Sequence, residues 1–265
     1  MKNNDKKISI LIRTIPGNGE LLRRCIASIC QQNYRPLEIV IVEDGGNSAE
    51  EIVRETETRH DIPVSYFPMG KIGRCAAGNL AMEKASGSLL NFLDDDDEFL
   101  PNHCSVLVDA FEKEPDYDAF YTASYIGYSD IISKNPLVIE EHKRELFGWC
   151  EFEVTALWLA NMFPIQAVMF KKELYEKYGG LDEELDKYED WEMWLRFSLE
   201  KDFVFVPEVT SRFRVPHTEL DKNSRREEHE QFMPALRRKQ KQLLATHRSK
   251  RLRALKLRAI VYGGI

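Results

Sequence analysis

Four consecutive aspartates, Asp94 to Asp97, follow the short apolar run Ser88 to Leu93 (SLLNFL). Side by side their charges repel, and a divalent cation relieves that repulsion. Ligands that are all oxygen select a hard ion, Mg²⁺ or Mn²⁺, which commonly also binds substrate phosphates. A solvated acidic turn is the plainer account; placement beside other strand-end charges favours the ion. Those charges are Arg13-Thr14 after Ile8 to Ile12 (ISILI) and Glu43-Asp44 after Leu37 to Val42 (LEIVIV). A further acidic pair, Glu189-Asp190, opens a stretch with Trp191, Trp194 and Leu195 at helical spacing. Acids there complement the positive end of a helix dipole.

The elements that must position these residues alternate in period. ISILI, LEIVIV, Pro63 to Phe67 and SLLNFL read as strands, the first suited to burial on both faces. Between them, Leu21 to Ile29, a segment capped by Ser48 and running to Arg59, and Arg74 to Ala85 read as helices. This alternation predicts βαβ units, a mostly parallel sheet and right-handed crossovers that put helices on both faces. In such sheets ligands gather beyond the carboxyl ends of the strands, where the charged residues fall. Beyond Pro101 we expect a helix over 102–113, strands near 119–123, 167–170 and 203–206, and helices over 172–178 and 189–200. Tyr125 to Trp149 reads as a long loop.

At 265 residues, with 43% hydrophobic and 31% charged side chains, the chain can build one large domain with a soluble surface. The polar opening Met1 to Lys7 does not read as a signal peptide, and no run reaches the length of a membrane span. Five scattered cysteines without CxxC spacing argue against disulfides or structural zinc and lead us to expect a cytoplasmic protein. The net charge of −7 hides a basic segment, Ala235 to Ala259, that contains no acid. The acidic remainder argues against nucleic acid as a partner.

Taken together these segments resemble the family 2 glycosyltransferases of GT-A fold. Ile8 to Pro16 (ISILIRTIP) is similar to the family's opening strand, and Leu37 to Gly46 (LEIVIVEDGG) to its second strand and acidic turn. Gly73 to Asp97 resembles the segment that leads to the DXD motif, and Gly179 to Arg196 (GGLDEELDKYEDWEMWLR) the signature carrying the catalytic base. The resemblance runs over residues 6 to 217. It departs at Arg13-Thr14-Ile15-Pro16, where the family more often has a Pro-Thr-Tyr-Asn type run.

The resemblance implies a metal-dependent, inverting transfer of a sugar from a nucleotide-diphosphate donor, a UDP-sugar first among them, to a glycan or lipid-linked acceptor. It implies Asp44, with Glu43 beside it, at the nucleotide base and ribose. Asp96 becomes the direct ligand of Mn²⁺ or Mg²⁺, with Asp94 or Asp95 on ribose or metal-bound water and Asp97 supporting the turn. Lys71 and Arg74 either add positive charge near the phosphates or are solvated helix-start charges; Arg13 flanks the nucleotide. His217 is either a metal ligand or an ordinary exposed residue. Asp190, beside Glu189, becomes the general base. Trp149, Trp158, Phe163 and Gln166 lie on the acceptor side or simply in the core.

We therefore expect a GT-A domain over 1–218 and a basic helical extension over 219–265. That extension either lies on anionic lipid at the inner face of the plasma membrane or packs on the acidic body. Bacterial surface polysaccharide or glycan assembly is the implied setting. A nucleotidyltransferase would want a glycine-rich, lysine-bearing loop after the first strand, but Arg13 to Glu20 contains only Gly17 and Gly19 and no lysine. A catalytically inactive sugar- or nucleotide-binding module is the other alternative, against which the acidic residues weigh.

Overall fold

A computed structural model describes residues 6–246, apart from the side chains of 219–222 and 224–226. Its parallel half is β1 (Ile8–Thr14), β2 (Leu37–Asp44), β3 (Val64–Met69) and β4 (Leu89–Phe92), joined by α1 (Gly19–Cys30), α2 (Glu50–Arg59) and α3 (Arg74–Lys84). β1 and β2 are buried at every position, the outcome that β-branched runs without alternation demand. β5 (Glu98–Phe99) and α4 (His103–Lys113) follow. The second half contains β6 (Ala119–Lys134), β7 (Leu137–Phe147), α5 (Val154–Leu159), β8 (Val168–Lys171), α6 (Lys172–Tyr178), α7 (Glu189–Phe197), β9 (Val204–Val215) and α8 (Glu219–Thr246).

The strands form one sheet in the order β3-β2-β1-β4-β8-β6-β9-β5, with β7 paired to β6. β8 lies antiparallel between β4 and β6 and joins the two halves. Each face carries its own apolar cluster. Ile10, Ile39 and Phe111 belong to one, and Leu11, Phe92, Phe170 and Trp194 to the other, so the alternate residues of β1 serve both. Such a double-sided core explains why the first strand contains so little polarity. The fold is the α/β GT-A architecture with helices on both faces.

Two local expectations need correction. Tyr125 to Trp149 is not a loop: β6 and β7 pair antiparallel from Ser124↔Phe147 to Lys134↔Leu137. The signal was the Asn135-Pro136 turn between two β-branched runs, Ile131-Ile132 and Val138-Ile139. It was obscured because the hairpin is only partly buried and so lacks a clean apolar alternation. The cap of α2 is also not Ser48. Ala49 holds that position without a side-chain cap bond, and Glu43 ties down the turn before it, accepting from Ser48 N and Ala49 N, each at 2.9 Å.

The described part of the C-terminal helix packs on the body. Leu236 and Gln240 are wholly buried, and Arg237 stands 5.8 Å over the Trp191 ring. Lys239 pairs with Asp182 and Glu184 at 2.7 Å each. Of the basic residues in the segment Ala235 to Ala259, Arg237, Arg238, Lys239 and Lys241 are described, and Arg248, Lys250, Arg251, Arg253, Lys256 and Arg258 lie outside the described residues. Among the described residues no helix is long and apolar enough to cross a membrane.

Candidate active site

Because β2 and β4 flank β1 on opposite sides, the direction of sheet growth reverses there and leaves a crevice beyond the ends of β1 and β4. The turn after β4 fills it with acids. Asp97 N donates to Asp94 O at 3.0 Å and closes the turn. Asp95 Oδ2 accepts from Thr14 Oγ1 at 2.6 Å and from Asn18 Nδ2 at 3.1 Å, and Asp97 Oδ1 accepts from Arg214 N at 3.1 Å. Burial, helped by the charge of Asp96, pushes Asp95 up to about 7 against the bond from Thr14. The same two causes push Asp97 upward. Asp95 and Asp97 hold the turn. Asp96, 3.4 Å from the Arg214 guanidinium, lines the open space.

Arg13 ties this turn to the distant helix α7. Its Nε and Nη2 grip Asp94 at 2.8 and 2.7 Å, while Nη1 reaches Glu189 Oε1 at 3.1 Å. Only 6% of the residue is exposed. Burial works against its charge, but Asp94 and Glu189 outweigh burial and raise its pKa. Burial likewise favours the neutral form of Asp94, and Arg13 with Arg74 overcomes it, so that the Asp94 pKa falls. Arg74 touches the same two acids at 3.1 Å each. Gly78 makes room for this arrangement: a Cβ there would stand 2.5 Å from Leu181 Cδ1 and 3.3 Å from Arg13 Cδ.

A cleft of about 580 Å³ brings Asp94, Asp96, Glu189 and Asp190 together, with Arg74 on its wall. A smaller cavity of about 250 Å³ shares Arg74, Asp94 and Asp96 with it and extends to Arg13, Asp44 and Asp95. Asp190 Oδ1 accepts from Trp191 N at 2.7 Å, and Oδ2 from Asn161 Nδ2 at 3.0 Å. Burial first, and the charge of Glu189 second, raise Asp190 to about 6. A carboxylate so tuned is ionised at neutral pH and still basic enough to take a proton. Glu189, by contrast, is 4% exposed and pairs with two arginines.

Among the described residues no three His, Cys, Asp or Glu side chains converge as ligands for a metal. A cation held by protein alone does not fit. A hard ion bound by one or two carboxylates and completed by substrate phosphates does, and Asp94 and Asp96 both line the cleft. The oxygens of Asp94 serve Arg13 and Arg74, and Asp96 faces Arg214.

The family model described as glycosyl transferase family 2 matches residues 9–178. The chain belongs to this family. The uncharacterized glycosyltransferase YwdF of Bacillus subtilis is 30% identical over 203 residues, 72% of this chain and 67% of its own. The putative colanic acid biosynthesis glycosyl transferase WcaA of Escherichia coli is 27% identical, over 83% of this chain and 76% of its own. Among solved structures, the mannosyltransferase PcManGT of Pyrobaculum calidifontis, in complex with GDP-Man and Mn²⁺, matches with TM-score 0.60 and 16% identity. That match covers 97% of this chain and 80% of the other. Staphylococcus aureus TarS 1–349 in complex with UDP-GlcNAc matches with TM-score 0.59 and 16% identity over 82% and 60%. This chain spans 37% of a further TarS chain. At such identities the likeness establishes the fold.

Other residues singled out for a nucleotide-sugar site fall in different places. Asp44 borders the smaller cavity, but its oxygens accept from Lys71 Nζ and Ile72 N, each at 2.6 Å, and from Gly73 N at 3.2 Å. Glu43 is fully buried and bonded to the start of α2 and to the Tyr66 hydroxyl, so it supports Asp44 from behind. His217 stacks on His142 at 4.3 Å between ring centres, with its backbone N–H on Asp130, and is not among the residues lining the cleft. Trp149 is half exposed; Trp158 and Phe163 are core; Gln166 reaches the cleft.

Sequence reasoning missed Asn161, Arg214 and Tyr188. Tyr188 precedes α7 with φ at 66°, a left-handed conformation costly for a bulky side chain, and lines the cleft. Nothing in the residue types signalled Asn161 or Arg214, which reach Asp190 and Asp96 from distant segments, and the left-handed backbone of Tyr188 is not written in its residue type.

Proposed function

We propose that this chain is an inverting glycosyltransferase that carries a sugar from a nucleotide-diphosphate donor to a hydroxyl of a glycan or lipid-linked acceptor. One observation carries the reading: Asp96 and Asp190 share a single cleft, one at the strand-end acids and the other at a helix start. The donors present in the related crystals, GDP-Man and UDP-GlcNAc, support a nucleotide sugar, and we take a UDP-sugar as the first donor to test.

The smaller cavity is the place for the nucleotide, bordered by Asp44 and Arg13, and Arg74 offers positive charge where the two cavities meet. Asp96, with Asp94, would hold Mg²⁺ or Mn²⁺, which when bound neutralises charge on a departing diphosphate. Asp190 removes the proton of the acceptor hydroxyl as its oxygen bonds to the anomeric carbon. The bond from that carbon to the diphosphate oxygen breaks, and its electron pair leaves with the nucleotide. A single displacement inverts the anomeric centre, and no covalent enzyme intermediate is required.

Incubation with UDP- and GDP-sugars and Mn²⁺ or Mg²⁺ tests this, with released nucleotide diphosphate and product configuration as readouts. Inverted product is expected, and retained configuration would overturn the mechanism. Asp96→Asn is expected to lower turnover by about 10²-fold or more while the fold persists by circular dichroism. Wild-type turnover in that variant would remove Asp96 from the site. The kcat/KM profile should rise through an apparent pKa of about 6, that of Asp190, and level off above it. Below that value each pH unit should cost roughly tenfold, since only the ionised form accepts a proton. A profile flat between pH 5 and 7 by that assay would exclude Asp190 as the base.

A further inference from the structure

Three residues that line the cleft have a buried polar atom without a hydrogen-bond partner: Arg214 through Nε, beside Asp96, and the pair Gln166 and Asn161. Gln166, only 1% exposed, has an Nε2 without a hydrogen-bond partner, and the buried Oδ1 of Asn161 is also without one. Both residues line the cleft with Asp190. The main chain of Gln166 is already fixed, since its carbonyl accepts from Asn91 Nδ2 at 3.0 Å; the side chain is not needed to anchor it. Leaving buried donors and acceptors unmade is costly, so such a pair on the wall of a cleft calls for a ligand. The orientation of Asn161 follows from chemistry. Its Nδ2 donates to Asp190 Oδ2 at 3.0 Å, and a flipped amide would set its oxygen against a carboxylate.

We propose that Asn161 and Gln166 form the acceptor-sugar subsite. Asn161 Oδ1 accepts from the hydroxyl beside the one that Asp190 deprotonates, and Gln166 Nε2 donates to an oxygen of the same ring. The inference rests on Asp190 being the base, because the bond from Asn161 to Asp190 is what assigns the pair to the acceptor rather than the donor. Pro164, Ile165 and Phe213 add apolar wall for the C–H face of a pyranose. The ligand is therefore a pyranoside with adjacent hydroxyls. A simple aliphatic alcohol would leave both orphan atoms unpaired. Asn161 also positions Asp190, together with Trp191 N.

The test compares wild type with Gln166→Met, Asn161→Ala and Asn161→Asp. The probes are methyl pyranosides of glucose, galactose, mannose and N-acetylglucosamine, with n-butanol as control. Gln166→Met should raise the KM of the best pyranoside about tenfold, the worth of one lost hydrogen bond, and leave the donor KM within about twofold. It should melt at or above the wild-type temperature, because it removes an unpaired donor. Asn161→Ala should move the acid limb of kcat/KM to higher pH, and Asn161→Asp further, since a second carboxylate opposes ionisation. The other charged or titratable groups around the cleft with Asp190 are Glu189 on its own helix, Arg74 from α3, Asp94, Asp96 and Asp97 from the turn after β4, Arg214 from β9, and Lys187, Glu228 and His229. All are retained in these variants.

A raised donor KM with an unchanged acceptor KM would overturn the assignment. So would a lower melting temperature in Gln166→Met with no kinetic change. If wild type releases nucleotide from no donor, the transfer reading fails separately. Titration of the same pyranosides by NMR then decides the subsite: shifts lost in Gln166→Met uphold it, and shifts equal in both proteins, or absent from wild type, overturn it.

Discussion

Asp190→Asn is expected to lower kcat by about 10³-fold, within the range that a positioned general base contributes. The amide keeps the shape of the side chain and an oxygen for Trp191 N, which donates to Oδ1 at 2.7 Å in the native protein. It has no basic oxygen to take the acceptor's proton. The donor KM should change little if the smaller cavity takes the nucleotide as proposed, because Asp190 does not border it. Steady-state release of nucleotide diphosphate, measured beside a thermal melt, separates lost chemistry from lost fold. Near-native turnover would reassign the proton acceptor. Glu189 is poorly suited to replace it, because Arg13 and Arg74 both hold its Oε1 at 3.1 Å.

The second large effect is on stability. Arg13→Leu leaves Asp94 and Glu189 facing each other with only Arg74, which is 40% exposed, to compensate them. Removing one member of a buried charge network typically costs about 3–5 kcal/mol, so the urea midpoint should fall well below that of wild type. The pH dependence has a definite sign. In wild type Asp94 lies below its ordinary pKa despite burial, because of Arg13 and Arg74, so its contribution is present at neutral pH and lost in acid. In the variant Asp94 keeps its burial but loses Arg13, so its pKa should move upward. The penalty of its buried charge is then full at neutral pH and shrinks in acid as it protonates. The gap between variant and wild type should narrow in acid. A midpoint within error of wild type at pH 7 would show that the network is not needed for the fold.

Much of the fold was legible because its signals are local. The runs ISILI and LEIVIV are apolar at nearly every residue, and that pattern belongs to strands covered on both faces. Acids crowded into the turn after a buried strand marked one wall of the cleft, and the acidic pair at the start of α7 marked the other. The β6–β7 hairpin was missed because its partly buried strands have no consistent inner face to impose alternation. Glu43 and Asp44 are adjacent and chemically alike, yet one ties down the turn before α2 and the other borders a cavity. On a strand, neighbouring side chains point to opposite faces.

Residue order alone determined the parallel half of the sheet and the positions of the acids, since these follow from short-range periodicity and composition; the family was legible only through the resemblance of four segments in order. Only the folded chain decided which acids meet. Arg13 and Glu189 are 176 positions apart and form one ion pair, and Asn161 reaches Asp190 from a different segment altogether. Such partnerships depend on how the sheet brings distant strand ends to one rim. Burial and neighbouring charge then set their chemistry: of two aspartates, Asp94 is held below its ordinary pKa by two guanidinium groups, and Asp190 is raised to about 6.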